Sequence, residues 1–397
     1  MTMRSKLFQR ICRFLLFIFI VLYSSRLVMG DELLRPVLVR VAVLQNVAEV
    51  KLNIRGRADI MDVNSGQLLD QAGRASLLTV KVNDQGALVF GDRIFSTNHI
   101  RIHPDRDLKL SIAGKERMYR GDIDLRKTED NKLLVINVLD LEEYIRGVLY
   151  HEVSHRWPMA ALKAQAVAAR SYGLYQIQNN SAKPFDVTND VYSQVYGGRL
   201  SERYRTNLAV SETRGEVMLY QNKVLPAYYS SNCGDYTEDS REVWNSQELI
   251  PPLQGGRCIY SRFAPHYNWK KNMRLADIQE ILNANGYALG TIKEINVVER
   301  NNSHRVRTLV FITSDGKETQ ITGKRFREIM GANLIKSNNY EVVMKGYYCD
   351  FLGKGWGHGV GMSQWGAYVM SRHRFHYQDI LLYYYPGVNF VDDQTLE

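Results

Sequence analysis

The chain has 397 residues, 45% hydrophobic and 23% charged, with 51 Lys and Arg against 42 Asp and Glu. That length and mix suit a folded protein of two or three structural units and exclude a disordered or collagen-like chain. Five of the basic residues and none of the acidic ones precede residue 31, which leaves an excess of four beyond it, too modest to call for a nucleic-acid partner.

Residues 1–30 have the layout of an export signal. Arg4, Lys6, Arg10 and Arg13 precede the apolar run FLLFIFIVLY (14–23), and Val28 and Gly30 supply small residues before the acidic Asp31-Glu32. A membrane span needs roughly 20 apolar residues, so a cleaved signal is expected, with an uncleaved inner-membrane anchor as the alternative. Export to the periplasm or cell envelope is expected in both cases, a buried helix being the remaining reading of the segment. Only this segment would touch a membrane.

Residues 31–132 read as a β-rich accessory portion. Short alternating segments such as VLVRVAVL, KLNIRG, LLTVKV and LKLSIAG are punctuated by Gly, Asn and Asp. From 133 onward LLVINVLD reads as a strand running into a helix, with Asp140 and Glu143 as a capping box and Leu141, Tyr144, Ile145, Val148 and Leu149 on one face. Glu152 falls on that same apolar side at the helix end. A second helix opens at Trp157-Pro158 and continues through the alanine-rich MAALKAQAVAARSYGLYQI. Residues 267–345 form a further α+β portion, with helices LADIQEILNANG and GKRFREIMG around strands EINVVER and RTLVFIT. In the tail, glycines 353, 355, 357, 359 and 361 alternate; in an extended conformation they would line one face, with Trp356, His358, Val360 and Met362 on the other.

Residues 151–155, HEVSH, match H-E-x-x-H, in which two histidines one helical turn apart hold zinc and the glutamate acts as base. Pro158 argues against that metallopeptidase reading, because the residue before a proline is driven out of the α region and the helix then ends near HEVSH. Glu152 keeps its interest. A carboxyl on an apolar face at a helix C-terminus meets partial negative charge and poor solvation, both of which favour the protonated form a general acid needs.

Residues 143–172, EYIRGVLYHEVSHRWPMAALKAQAVAARSY, resemble the stage II sporulation protein D / LytB (SpoIID) family, with its Glu, a Trp-Pro five and six residues later, and ALKAQAVAAR-[ST]-Y. VYSQVYGG (191–198), YYSSNCGDYTEDSREVW (228–244), GHGVGMSQWGA and ILLYYYPG follow in the family's order. The resemblance spans 133–390 and implies an α+β SpoIID-like catalytic core. It also implies a peptidoglycan lytic transglycosylase that cleaves glycan strands, with a preference for peptide-free ones, and leaves 1,6-anhydro-muramoyl ends. Glu152 matches the catalytic glutamate, although Val153 stands where many relatives have methionine. Arg170, Ser171, Tyr172, Gln194, Tyr196, His358 and Gln364 lie in the matched blocks and are expected to contact substrate. Asp186, Asp190 and Asp235 remain as conceivable helpers. The rival readings are a wall-binding protein of LytB type that modulates a cell-wall amidase without turnover, and the zinc peptidase.

Beyond Cys12 in the signal, the cysteines are Cys233, Cys258 and Cys349. Cys233 and Cys258 fall where metal-coordinating relatives carry thiols, and His266 would complete a structural zinc site, but Ser261 stands where a C-x-x-C pair needs its second cysteine. A Cys233–Cys258 disulfide is the alternative in an oxidising compartment. Cys349 reads as a core residue.

Overall fold

A computed structural model describes residues 36–395 apart from Ala113 and His266, so the export-signal reading lies outside the described residues. Leu38–Thr395 make one unit of contacts. The alternating N-terminal segments pair as two sheets. The larger, seven-stranded sheet runs Val187–Thr188, Leu38–Val47, Leu133–Asp140, Asp122–Lys127, His99–Pro104, Ala58–Asp62, Leu68–Ala72. All its pairings are antiparallel except that of the short Val187–Thr188 edge. Leu133–Asp140 is apolar on both faces and buried along all but its last residue, which explains its central place. The β-rich portion and the expected core thus share one sheet across residue 133. A six-stranded sheet, Lys115–Tyr119 to Arg93–Phe95, completes the N-terminal part.

Helix α1 (Leu141–Glu152) leaves the central strand without a loop. Asp140 is both last strand residue and N-cap, its carboxylate accepting the Glu142 N–H at 2.9 Å. The expected capping box does not form: Asp140 takes the Glu142 rather than the Glu143 N–H, and the Glu143 carboxylate turns to Arg120 at 2.8 Å and Arg146 at 3.2 Å. The stripe Leu141, Tyr144, Ile145, Val148 and Leu149 is fully buried. At roughly 1.5–3 kcal/mol per large apolar side chain, that stripe fixes the rotation of α1 and hence where its last residue points. The helix stops at Glu152: Val153 is extended (φ −139°, ψ 152°). After a short turn, Pro158 (ψ 148°) caps α2 (Met159–Asn179). Arg205 pins the turn through the carbonyls of His155 and Trp157, at 3.0 and 2.8 Å.

The alanines of α2 let other elements approach closely. Ala164, Val167 and Ala168 share a core with Met370 of the Gln364–Arg372 helix and with Ile380 and Leu381 of the Tyr377–Tyr384 helix. The 267–345 region forms the expected helices and strands around its own core, including Ile278, Leu309, Phe311 and Phe326.

The tail departs from expectation. Strand Tyr348–Lys354 is regular, but Gly355, Gly357, Gly359 and Gly361 have φ of 78°, 109°, 85° and 68°, so no extended run with two faces forms there. The reason is close backbone approach. A Cβ on Gly361 would sit 2.0 Å from the Tyr228 carbonyl oxygen, and one on Gly355 2.6 Å from that of Asn232.

Candidate active site

Three chain segments converge on the end of α1. Glu152 is half-buried. Its Oε1 accepts the Val195 backbone N–H at 3.2 Å, and its Oε2 accepts Nε2 of Gln364 at 3.1 Å. Gln364 is the first residue of its helix, whose N-cap Ser363 takes the Gly366 N–H at 3.2 Å and so fixes where Gln364 points. The Tyr229 hydroxyl is a third neighbour of the carboxyl. Burial pushes Glu152 above the usual carboxylate range, outweighing the donors from Val195, Gln364 and Tyr229, which favour the anion.

Behind the carboxyl lies a buried relay. Tyr144 of α1 donates its hydroxyl to Oε1 of Gln194 at 3.0 Å. The Gln194 amide donates to the Tyr229 hydroxyl at 2.9 Å and to the Ala169 carbonyl at 3.3 Å. Tyr172 is buried close by, its phenol pushed up by burial and, to a lesser degree, by the Glu152 charge. From there rings lead outward: Tyr172 meets Tyr228 at 5.8 Å, and Tyr228 stacks at 4.0 Å on Trp244, which is 41% exposed. Next to Gln364, the half-buried Trp365 packs against Trp157 at 4.9 Å.

A family model described as stage II sporulation protein (SpoIID) matches residues 129–220, the stretch that carries α1, α2 and the Val195 loop. A second, of a domain of unknown function (DUF8618), matches 254–361. The chain is 31% identical over 270 residues to stage II sporulation protein D of Bacillus subtilis (strain 168), covering 64% of this chain and 75% of that protein. The chain belongs to the SpoIID family. An uncharacterized protein of Brachyspira hyodysenteriae is 37% identical over 265 residues, 66% of this SpoIID chain and 70% of the relative. The amidase enhancer of B. subtilis is 28% identical over 340 residues, 74% of this chain but only 47% of that longer protein.

Within this SpoIID chain the expected substrate contacts sort differently from expectation. Arg170 is fully buried, paired with Glu142 at 2.6 Å and donating to the Glu216 carbonyl at 3.0 Å; it is a core ion pair. Ser171 is buried too, donating to the Val167 carbonyl at 2.8 Å and accepting the Met218 N–H at 2.9 Å. Tyr196 sends its hydroxyl inward to Asn137 at 2.8 Å, with its ring packed on Tyr144. Gln194 has its amide committed to the relay. These four side chains are buried and face inward, supporting the elements around Glu152. Gln364 acts on the carboxyl itself, and Tyr172 lies beside it.

His358 accepts the Val360 N–H on Nδ1 at 3.0 Å, which places its remaining proton on Nε2, and it faces the Tyr229 backbone. Burial, with Arg327 and Arg305 nearby, pushes it down to about 4, so it is a neutral wall residue beside Trp244.

The histidines of HEVSH are not zinc partners. The helix ends between them, and His151 Nε2 instead meets Ser201 Oγ at 2.6 Å. At the expected thiolate site, Cys233 and Cys258 are joined in a disulfide, the alternative read from the sequence; His266 lies outside the described residues. The hydroxyl of Ser261, in the missing cysteine's place, lies 2.9 and 3.1 Å from the two sulfurs and 2.9 Å from Ser363 Oγ. Cys349 is buried and free, its thiol pushed up by burial to about 12. The candidate helpers are engaged elsewhere: Asp186 with Arg40, Asp190 with Thr188, and Asp235 with Lys354 and Tyr267.

Val195 and Tyr229 escaped the sequence reading although both lie within quoted blocks. Val195 acts through its backbone, and Tyr229 reaches Glu152 only because two distant segments fold together.

Proposed function

We propose that this SpoIID-family chain is a peptidoglycan lytic transglycosylase with Glu152 as its single acid/base. The observation that carries the reading is the carboxyl itself: half-buried, raised by burial, and held from both oxygens by Val195 and Gln364. Ordinary glycosidases pair two carboxyls, one as acid and one as nucleophile or water activator. Here one group serves twice. Protonated Glu152 gives its proton to the glycosidic oxygen as the bond from muramoyl C1 to that oxygen breaks. The C6 hydroxyl of the same sugar then forms the new bond to C1, and its proton returns to Glu152. No water is consumed, and the muramoyl end is a 1,6-anhydro ring. Trp244 on Tyr228 supplies an exposed ring face of the kind that packs on pyranoses, and Gln364, Tyr229 and the relay through Gln194 hold the carboxyl in place.

Such a substrate requires export to the cell envelope, which fits the basic-then-apolar residues 1–30. The resemblance adds a preference for strands already stripped of peptide. A second reading rests on the amidase enhancer relative: wall binding that assists a cell-wall amidase. Purified protein incubated with isolated glycan strands separates the two. Anhydro ends formed by wild type and lost at least 1,000-fold with Glu152→Gln support the transglycosylase. Strand binding with no cleavage supports the second reading.

A further inference from the structure

A cluster of cations lies away from Glu152. A cavity of about 820 Å3 is lined by Arg55, Arg74, Arg106, Lys109, Arg199 and Asp107. Five cations face one lining carboxylate, and ion pairs take up only two of the five. Arg199 pairs with Asp107, and Lys109 with Glu116. Arg55, Arg74 and Arg106 are exposed, and no hydrogen bond or ion pair engages them among the described residues. Converging unpaired arginines repel one another, and that arrangement is relieved by an anion that takes their planar forks.

The cavity is also tied to the catalytic half of the chain. Four of its cations come from turns and strands of the N-terminal sheets, but Arg199 belongs to the short helix Arg199–Ser201. Two residues on, Ser201 meets His151, the neighbour of Glu152, at 2.6 Å.

Resting on the glycan-cleaving reading above, we propose that this cavity is a second strand-binding site that recognises the carboxylates of the glycan. Each muramoyl unit carries a lactyl carboxyl, which is a free anion wherever no peptide is attached. The cavity is too large for a single small anion and of a size to admit a sugar ring with its acidic substituent. A strand held there is retained near Glu152 between cuts, and strands lacking the carboxylate lose this anchor.

The test uses the exported chain carrying Glu152→Gln, so that binding is read without turnover. Fluorescence anisotropy measures labelled peptide-free glycan strands, the same strands with their lactyl carboxyls reduced to alcohols, and neutral N-acetylglucosamine oligomers. The combined Arg55→Ala, Arg74→Ala and Arg106→Ala variant is expected to bind the carboxylated strands at least tenfold more weakly. Its salt dependence should be flattened, with the neutral oligomers unaffected. All three arginines are exposed, so circular dichroism should report an unchanged fold. Equal affinity of the triple variant, equal affinity for reduced strands, or displacement of carboxylated strands by a lower concentration of polyphosphate would each overturn the proposal. Failure of the catalytic reading looks different: wild type then makes no anhydro ends, while arginine-dependent binding persists.

Discussion

Gln364 and Glu152 lie 212 residues apart in the chain, and their side chains meet at 3.1 Å. The bond joins the start of one helix to the end of another. Because the amide donates to a carboxylate oxygen, it favours the anion and opposes the burial that raises Glu152. Gln364→Leu therefore raises the carboxyl further: the alkaline limb of the pH–rate profile should move to higher pH, and kcat should fall about tenfold through lost positioning, the size of one hydrogen bond to a charged group. An unmoved limb would show that the contact is not made in the working enzyme.

Glu152 also carries a stability signature. Its folded-state pKa is raised, so between the unfolded value near 4.5 and the higher folded value the unfolded chain loses its proton first, and stability falls as pH rises through that window. Glu152→Gln mimics the protonated form and escapes that loss. Thermal denaturation should show the variant melting above wild type at pH 7, with the difference vanishing below about pH 4, where both unfolded and folded carboxyls are protonated. A variant less stable at neutral pH would mean that the carboxylate is well satisfied where it sits.

Arg170 belongs to the core. Arg170→Met leaves Glu142 buried without its partner, which typically costs about 3–5 kcal/mol. Replacing both with apolar residues should recover most of it. Denaturant titration of the single and double variants checks this, with KM of the folded fraction expected to remain near the wild-type value. A large KM increase at unchanged stability would restore Arg170 as a substrate contact.

The Cys233–Cys258 disulfide closes a loop over a sequence separation of 25, beside the serine that caps the Gln364 helix. Loop closure of that length is worth about 3 kcal/mol in the chain-entropy picture. Replacing both cysteines by alanine should lower stability by about that amount. Thiol titration of unfolded, signal-free protein should find Cys349 alone. Two further thiols accompanied by stoichiometric zinc would favour the thiolate site instead.

Much of the fold was legible because the patterns are local. The buried stripe of α1 and the break at Pro158 together locate Glu152 at a helix end and dismiss the zinc reading of HEVSH. The strands and helices of 267–345 likewise follow from periodicity. What could not be read is the direction in which a side chain points once segments far apart meet. Arg170, Ser171, Gln194 and Tyr196 sit in the blocks that surround Glu152, yet face inward to hold α1, α2 and the Val195 loop. Val195 itself contributes only a backbone N–H, which its side chain does not advertise. The alternating glycines suggested period-two strand geometry, but their spacing serves a backbone threaded against Tyr228 and Asn232, visible only once both segments are in place.

The most direct test of the single-carboxyl mechanism is mass spectrometry of glycan strands digested in water enriched in oxygen-18. Intramolecular attack by the C6 hydroxyl is expected to give muramoyl ends one water lighter than hydrolysed ends and free of the heavy isotope, with Glu152→Gln giving no product. Reducing ends carrying one oxygen-18, or cleavage that survives Glu152→Gln, would contradict it.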